Sequence, residues 1–414
     1  MGMRTRFAVG ALLVLSVLSS CAEPDRRARA AAEREPEGAG SFSANQEALL
    51  GFAMATITKL PTGSNVHMKD RSRVQQEIIE ACLELGQPDL AVSYLAEVKN
   101  WRKGLSAAKI AYYQVKRDAS ADVEKLLKLS EAYLKLADQE WRGREIEKYR
   151  ALVELERGRT AAADRFQSGE MSDRNLGKMA IAKAKAAGEM TLGGMSDELD
   201  EIIAKDRYEG ILNAGEGYVE LYAKQYGDEA TREEIEAKVR RAYRNMGGPE
   251  KLRLFIGLGR AAVDNGDVAK ATAFIGEAWE FHAKVDWRRM MVDKYEIGAA
   301  LAKLMARAGG ESEAVAKLDA LREDLSGRLE RIYNIWRAES FTPLASAYLA
   351  LGREEAAAAV YGEALKHSRL NPNSRPRAID LAQICVSMAK DDFAPGEQVW
   401  HNLRTAQSGL GTPW

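Results

Sequence analysis

The chain has 414 residues, 46% hydrophobic and 29% charged, the balance of a folded protein and not of a disordered one. A formal net charge of −1 provides no global field for nucleic acid, and no Arg/Lys stripe with interleaved aromatic residues provides a local one, so that class is excluded. The length allows two or three domains or a single repeat array.

Residues 1–20 read as a processing segment. Arg4 and Arg6 make a basic start, and the apolar run of residues 7–18 is too short for a spanning helix. It ends in Leu18-Ser19-Ser20-Cys21, which resembles the lipobox of bacterial lipoproteins. The small Ser19 and Ser20 admit a peptidase, and the Cys21 thiol can take a thioether-linked diacylglycerol. The resemblance implies cleavage before Cys21, acyl chains on the new N-terminus, and attachment to a membrane of the bacterial envelope. Ala22 stands where aspartate signals inner-membrane retention in that family, which implies the periplasmic face of the outer membrane. Cleavage removes two of the 60 basic residues and none of the 61 acidic ones, so the mature chain stays close to neutral. Residues 21–46 mix both charges with Pro24, Pro36 and glycine, lack apolar periodicity, and read as the lipidated cysteine followed by a flexible tether.

From about residue 47 the patterns are helical. No proline occurs between Pro88 and Pro249, and Ala, Leu, Glu, Lys and Arg dominate, which makes the fold class all-α. Four segments align on Gly86, Gly266, Gly309 and Gly352. Eight residues before these stand Ile78, Leu258, Leu301 and Leu344, and four before stand Cys82, Ala262, Met305 and Tyr348. Five after come Ala91, Ala271, Ala314 and Ala357; nine after come Leu95, Ile275, Leu318 and Tyr361. These are helical spacings on either side of a short turn, with a glycine free to end the first helix in the left-handed conformation. Two helices joined so tightly cross closely near the turn, and the alanine keeps the crossing open. The pattern resembles the tetratricopeptide repeat, although Gly266, Gly309 and Gly352 are 43 residues apart where that family's unit is about 34. The resemblance implies a right-handed α-solenoid of antiparallel helix pairs in units of about 43 residues, an elongated body.

Three blocks follow in chain order. Residues 47–169 hold N-terminal helical repeats, with weaker turns at Asp118 and Gly158; residues 170–250 read as an irregular helical region or hinge; residues 251–414 hold the C-terminal repeats. The middle block is punctuated by Gly188, Gly193-Gly194 and the break Met246-Gly247-Gly248-Pro249.

Candidate binding residues are aromatic. Trp101, Trp141, Trp287 and Trp336 are each followed by arginine near the start of a first helix, where they can either meet a partner or staple one repeat to the next. Tyr218, Tyr222 and Tyr226 lie at i, i+4 and i+8 on one helix face, either a glycan or peptide ladder or the buried side of that helix. Gly257-Leu258-Gly259 imitates a dinucleotide fingerprint but sits inside a helical repeat, where its glycines suit close packing. His67, His282, His367 and His401 are scattered and form no metal-binding spacing, and no cofactor is implied. Cys82 and Cys385, 303 residues apart in an elongated array, are not expected to pair. No catalytic constellation stands out. The expected function is therefore that of a non-enzymatic envelope lipoprotein that holds protein partners as a scaffold or assembly factor. A glycan- or cell-wall-binding protein and an envelope enzyme with an unrecognised site are the alternatives.

Overall fold

The computed structural model describes residues 42–167, 173–188, 191–204 and 208–414. The processing segment and Cys21 lie outside the described residues, as does most of the tether. The described residues form nineteen α-helices and no strand, so the chain is all-α. After α1 (Ala44–Thr58) come the pairs α2 (Asn65–Glu84) with α3 (Pro88–Tyr94), α4 (Arg102–Arg117) with α5 (Glu124–Leu134), and α6 (Glu140–Glu156) with α7 (Thr160–Asp164). Next are α8 (Asp173–Ala187) with α9 (Leu192–Ala204), α10 (Tyr208–Lys224) with α11 (Glu229–Ala242), and α12 (Gly248–Asp264) with α13 (Val268–Lys284). Then follow α14 (Met291–Arg307) with α15 (Glu311–Arg328) and α16 (Asn334–Ala350) with α17 (Glu354–Arg369). The chain finishes with α18 (Ser374–Lys390) and α19 (Glu397–Ser408). The described parts of the stretch read as irregular helix or hinge thus supply the α8/α9 and α10/α11 pairs, and α12 starts at its Gly-Gly-Pro break.

The even-numbered helices make an inner layer in which each packs on the next. They run parallel: Arg253 near the start of α12 meets Asp293 near the start of α14 at 2.9 Å, and Arg307 at the end of α14 meets Asp264 at the end of α12 at 2.5 Å. The layer closes, because α18 packs on α2 along its whole length. Arg375 reaches Asp70 at 3.3 Å, Gln383 reaches Glu77 at 2.8 Å, and Lys390 reaches Glu84 at 2.5 Å, at the start, middle and end of the two helices. Nine inner helices therefore form a ring, and the expected elongated body is corrected to a closed one. In an open array each terminal pair leaves an apolar face to water and needs a polar cap. Joining the ends covers both faces at once.

The seam shows how the chain achieves this. Helix α18 has no following partner in its own pair, and α1 takes that place: Leu49, Leu50, Ala53, Met54 and Ile57 are buried against it, and the Gln46 amide donates to the Ala389 carbonyl at 3.0 Å. The first helix among the described residues is the second helix of the ninth pair. Helix α19 lies over the join, with Trp400 edge-on to Phe52 at 5.9 Å and Gln407 bonded to Thr56 at 2.6 Å.

Each aligned glycine has the predicted left-handed backbone, φ +74° at Gly86, +73° at Gly266, +93° at Gly309 and +68° at Gly352. At the last of these, the Arg353 amide donates to the Tyr348 carbonyl and the Gly352 amide to the Leu349 carbonyl, both at 2.9 Å, which satisfies the orphan carbonyls of α16. The same pair of bonds ends α18, with Asp392 at φ +50° in the glycine's place, and Ser43, the N-cap of α1, donates to the Asp392 carboxylate at 2.7 Å. The start of α1 docks where a ninth turn would stand. Ala91, Ala271, Ala314 and Ala357 are all wholly buried at the helix crossings. The 43-residue spacing holds from α12 to α14 to α16 and shortens elsewhere, because outer helices such as α3 and α7 have 7 and 5 residues where α13 and α15 have 17 and 18.

Ring closure also corrects the separation expected for the two thiols. Cys82 on α2 and Cys385 on α18 lie on adjacent helices, both buried and both free.

Candidate functional site

The side chains with chemistry to offer fall into three settings: between the helix layers, along the wall of the bore, and on the two flat faces of the ring. Between the layers, buried tyrosines give their hydroxyls to carboxylates. Tyr218 donates to Asp200 at 2.7 Å, Tyr295 to Asp324 at 2.9 Å, Tyr348 to Asp319 at 2.6 Å and Tyr361 to Asp391 at 3.0 Å. Burial pushes these phenols up, and the neighbouring carboxylates add to the rise. Burial alone would raise the Asp324 carboxyl too, but bonds from Lys294 (2.6 Å), Arg328 (2.7 Å) and Tyr295 outweigh it and hold that carboxyl below its ordinary range. These groups settle the polarity of the core.

The tyrosine ladder belongs to this setting. Tyr218 and Tyr222 are wholly buried and Tyr226 nearly so; Tyr222 stands edge-on to Tyr226 at 5.4 Å and to Phe274 at 6.3 Å, and Tyr226 donates to Asp267 at 2.9 Å. The tryptophans occupy the junctions between pairs, at the starts of inner helices. Trp101 and Trp141 meet edge-to-face at 5.5 Å across neighbouring pairs, with the Arg142 guanidinium over both rings. Trp287 is buried, donates to the His282 carbonyl at 2.9 Å and packs on the His282 ring at 4.9 Å. Trp336 is half-buried, edge-on to Tyr333 at 5.2 Å. Of the seven aromatic residues singled out from the sequence, the fold brings Trp101 and Trp141 together, holds the three tyrosines in the core, and leaves Trp287 and Trp336 in separate junctions.

Between neighbouring inner helices, opposite charges meet. Arg253–Asp293 joins α12 to α14, Arg375–Asp70 and Lys390–Glu84 join α18 to α2, and the close Lys109–Glu80 pair joins α4 to α2. Gly257 and Gly259 let α12 approach both neighbours: a methyl on the first would meet Val219 of α10 at 2.6 Å, and on the second Leu304 of α14 at 2.9 Å. No group of three or more His, Cys, Asp or Glu residues that could hold a metal is present among the described residues. Burial raises the Cys82 thiol to about 12 and pushes Cys385 up as well, which keeps both sulfurs protonated.

The two faces of the ring differ. One, the turn face, carries the tight turns within pairs, and Glu311, Glu313, Glu354, Glu355 and Asp392 are exposed there. The other, the junction face, carries the links between pairs. Here Tyr333 is 71% exposed and Leu370 59%, around an open groove of 510 Å³ that Glu330, Arg331 and Arg337 also line, and Ile335 nearby is 45% exposed. Most of this patch is the short stretch from Glu330 to Arg337, with Leu370 brought in from the next junction; sequence reasoning missed it because exposure at a helix start is set by how the pairs pack.

No protein-family model matches the chain, and no curated protein matches it in sequence. Among solved structures it is similar to one described as a "Circular tandem repeat protein with novel repeat topology and enhanced subunit contact surfaces", at 14% identity and a TM-score of 0.32, over 88% of this chain and 94% of that one. So loose a superposition adds nothing to the closure read from the helix contacts.

Proposed function

We propose that the protein is a membrane-anchored lipoprotein of the bacterial envelope whose ring is a non-catalytic scaffold for protein partners. The observation that carries this reading is how the ring uses its reactive groups. Buried tyrosines such as Tyr295 give their hydroxyls to carboxylates, and charges such as Arg253 and Asp293 pair between inner helices, while the ring presents two broad faces to solvent. Broad faces of a helical array suit protein partners. The Leu18-Ser19-Ser20-Cys21 motif supports the anchor, and no described helix is long and apolar enough to cross a membrane. The test is fractionation of intact cells making the full chain or its Cys21→Ser variant, with mass spectrometry of the mature N-terminus. Acylated Cys21 and its loss in the variant are expected; an unmodified thiol at residue 21 sinks the anchor. Crosslinking followed by purification of the anchored chain is expected to recover a recurrent protein partner, and recovery of the chain alone counts against the scaffold.

A further inference from the structure

We propose that the junction face of the ring binds the surface of an anionic phospholipid bilayer directly, with apolar side chains seated among headgroups and arginines paired with phosphates. This goes beyond the anchor at Cys21 and does not depend on it. The first observation is where exposed apolar side chains lie. Of the eight large ones among the described residues, Val66, Leu136, Tyr208, Tyr333, Ile335 and Leu370 all occupy junctions, whereas Val268 is on the turn face and Val92 on α3. Tyr333 and Leu370 line one groove across two neighbouring junctions, with Ile335 beside Tyr333 in the chain, and exposed apolar patches of this kind mark contact surfaces.

The second observation is charge. Lys284, Arg289, Arg331 and Arg369 are exposed at three successive junctions and have no carboxylate partner among the described residues. Helix dipoles account for Lys284 and Arg369, which close the outer helices α13 and α17. They do not account for Arg289, which precedes the N-terminus of α14, nor for Arg337 in the first turn of α16, where the dipole favours acids. Acids share these junctions, with Asp286 paired to Arg288 and Glu330 lining the groove beside Arg331, and Arg337 donates to the Ile332 carbonyl at 3.0 Å; Lys284, Arg289, Arg331 and Arg369 remain as exposed cations around the apolar side chains.

Shape selects the partner. The apolar residues are spread around the perimeter of a ring roughly 55 Å wide, given helix spacings of 8–10 Å and two layers. A compact protein covers one sector of such a ring, whereas a bilayer is flat and meets every junction at once. Apolar side chains entering the headgroup boundary with Lys/Arg among them are what interfacial binding requires. The proposed anchor can coexist with this contact. Ser43 stands on the turn face, but the twenty-two residues from Cys21 to it span at most about 75 Å, and the ring is only about 26 Å thick at its 17-residue helices.

Residues 21–414 carrying Cys21→Ser, which cannot be acylated, test the proposal by co-sedimentation with vesicles. Binding is expected to vesicles of phosphatidylcholine containing about one-third phosphatidylglycerol, and not to phosphatidylcholine alone. Arg331→Glu with Arg369→Glu is expected to weaken it at least about tenfold, as is high salt. Tyr333→Ser, Ile335→Ser and Leu370→Ser together are expected to weaken it about tenfold with charge unchanged. Glu354→Gln with Glu355→Gln on the turn face is expected to leave it unaltered. Circular dichroism confirms that each variant is folded, which the exposure of these side chains favours. No sedimentation with anionic vesicles overturns the proposal, as does equal binding by the charge-reversed variant, or capture by soluble polyglutamate without capture by vesicles. None of these outcomes touches the acylation of Cys21, which the cell fractionation reads separately.

Discussion

Ala357 is wholly buried where α17 crosses α16, just beyond the left-handed Gly352, while its neighbour Ala356 is only half-buried. Ala357→Leu is expected to overpack the crossing and cost about 1–3 kcal/mol in chemical denaturation, with Ala356→Leu nearer neutral. Asp324 gathers Lys294, Arg328 and Tyr295, and its carboxyl is held below the ordinary range in the folded chain. Such a group contributes stability above its unfolded value of about 3.8, and that stability is lost as pH falls through the folded value. Thermal melts below about pH 4 should therefore be steeper for the native chain than for Asp324→Asn, which is less stable near neutrality but has no proton to take up there. An unchanged acid limb would show that this cluster is not among the groups governing acid unfolding. At this scale the sequence was largely readable. The buried alanines follow from turn geometry, but the acids that meet the tyrosines do not, because Asp324 lies 29 residues from Tyr295 on the partner helix and its role depends on how the pair is rotated.

For the elements, the informative place is the seam. Helix α1 repeats the apolar spacing of an outer helix, and it lies at the wrong end of the chain for the pair it completes. The repeat register runs on to that pair: Ile384 and Met388 stand eight and four residues before Asp392, as Leu344 and Tyr348 stand before Gly352. Alignment on glycine hides it, since aspartate takes the positive φ, and the helix that follows, α19, lies over the join while α1 fills the paired position. Ser43 and Asp392, whose side-chain oxygens are 2.7 Å apart, are expected to be bridged by a short bis-maleimide when both are replaced by cysteine. Mass spectrometry reads the bridge, and a rise in melting temperature should accompany it, because it closes a loop of nearly the entire folded chain. Two singly modified thiols and no bridge would count against closure of the ring at this point.

At the scale of the whole molecule, closure changes what the repeats do. An open solenoid offers a concave groove and two ends, whereas this ring offers a bore and two faces of different chemistry. Nine inner helices 8–10 Å apart place their axes on a circle of roughly 26 Å, leaving a bore of roughly 15 Å. Small-angle scattering from the purified chain should accordingly give a distance distribution limited to roughly 55 Å for the ring, with the added spread of residues 21–41. A rod-like profile of the same mass would contradict closure. The face chemistry follows from the winding: every inner helix starts on the junction side and ends on the turn side, so residues scattered over three hundred positions of sequence are gathered into one surface.

By itself the sequence determined the helices, their pairing and the left-handed turns, because those depend on spacing within a few dozen residues and on which residues tolerate a tight crossing. It also carried the whole case for the lipid anchor, which rests on a short contiguous motif. Only the tertiary structure decided that the array closes and that α1 completes α18. The same holds for the adjacency of the helices bearing Cys82 and Cys385, and for the collection of the apolar junction residues on one face. Those outcomes depend on the small rotation each pair imposes on the next, summed around nine pairs; no local pattern encodes that sum, and it becomes visible only when the last helix meets the first.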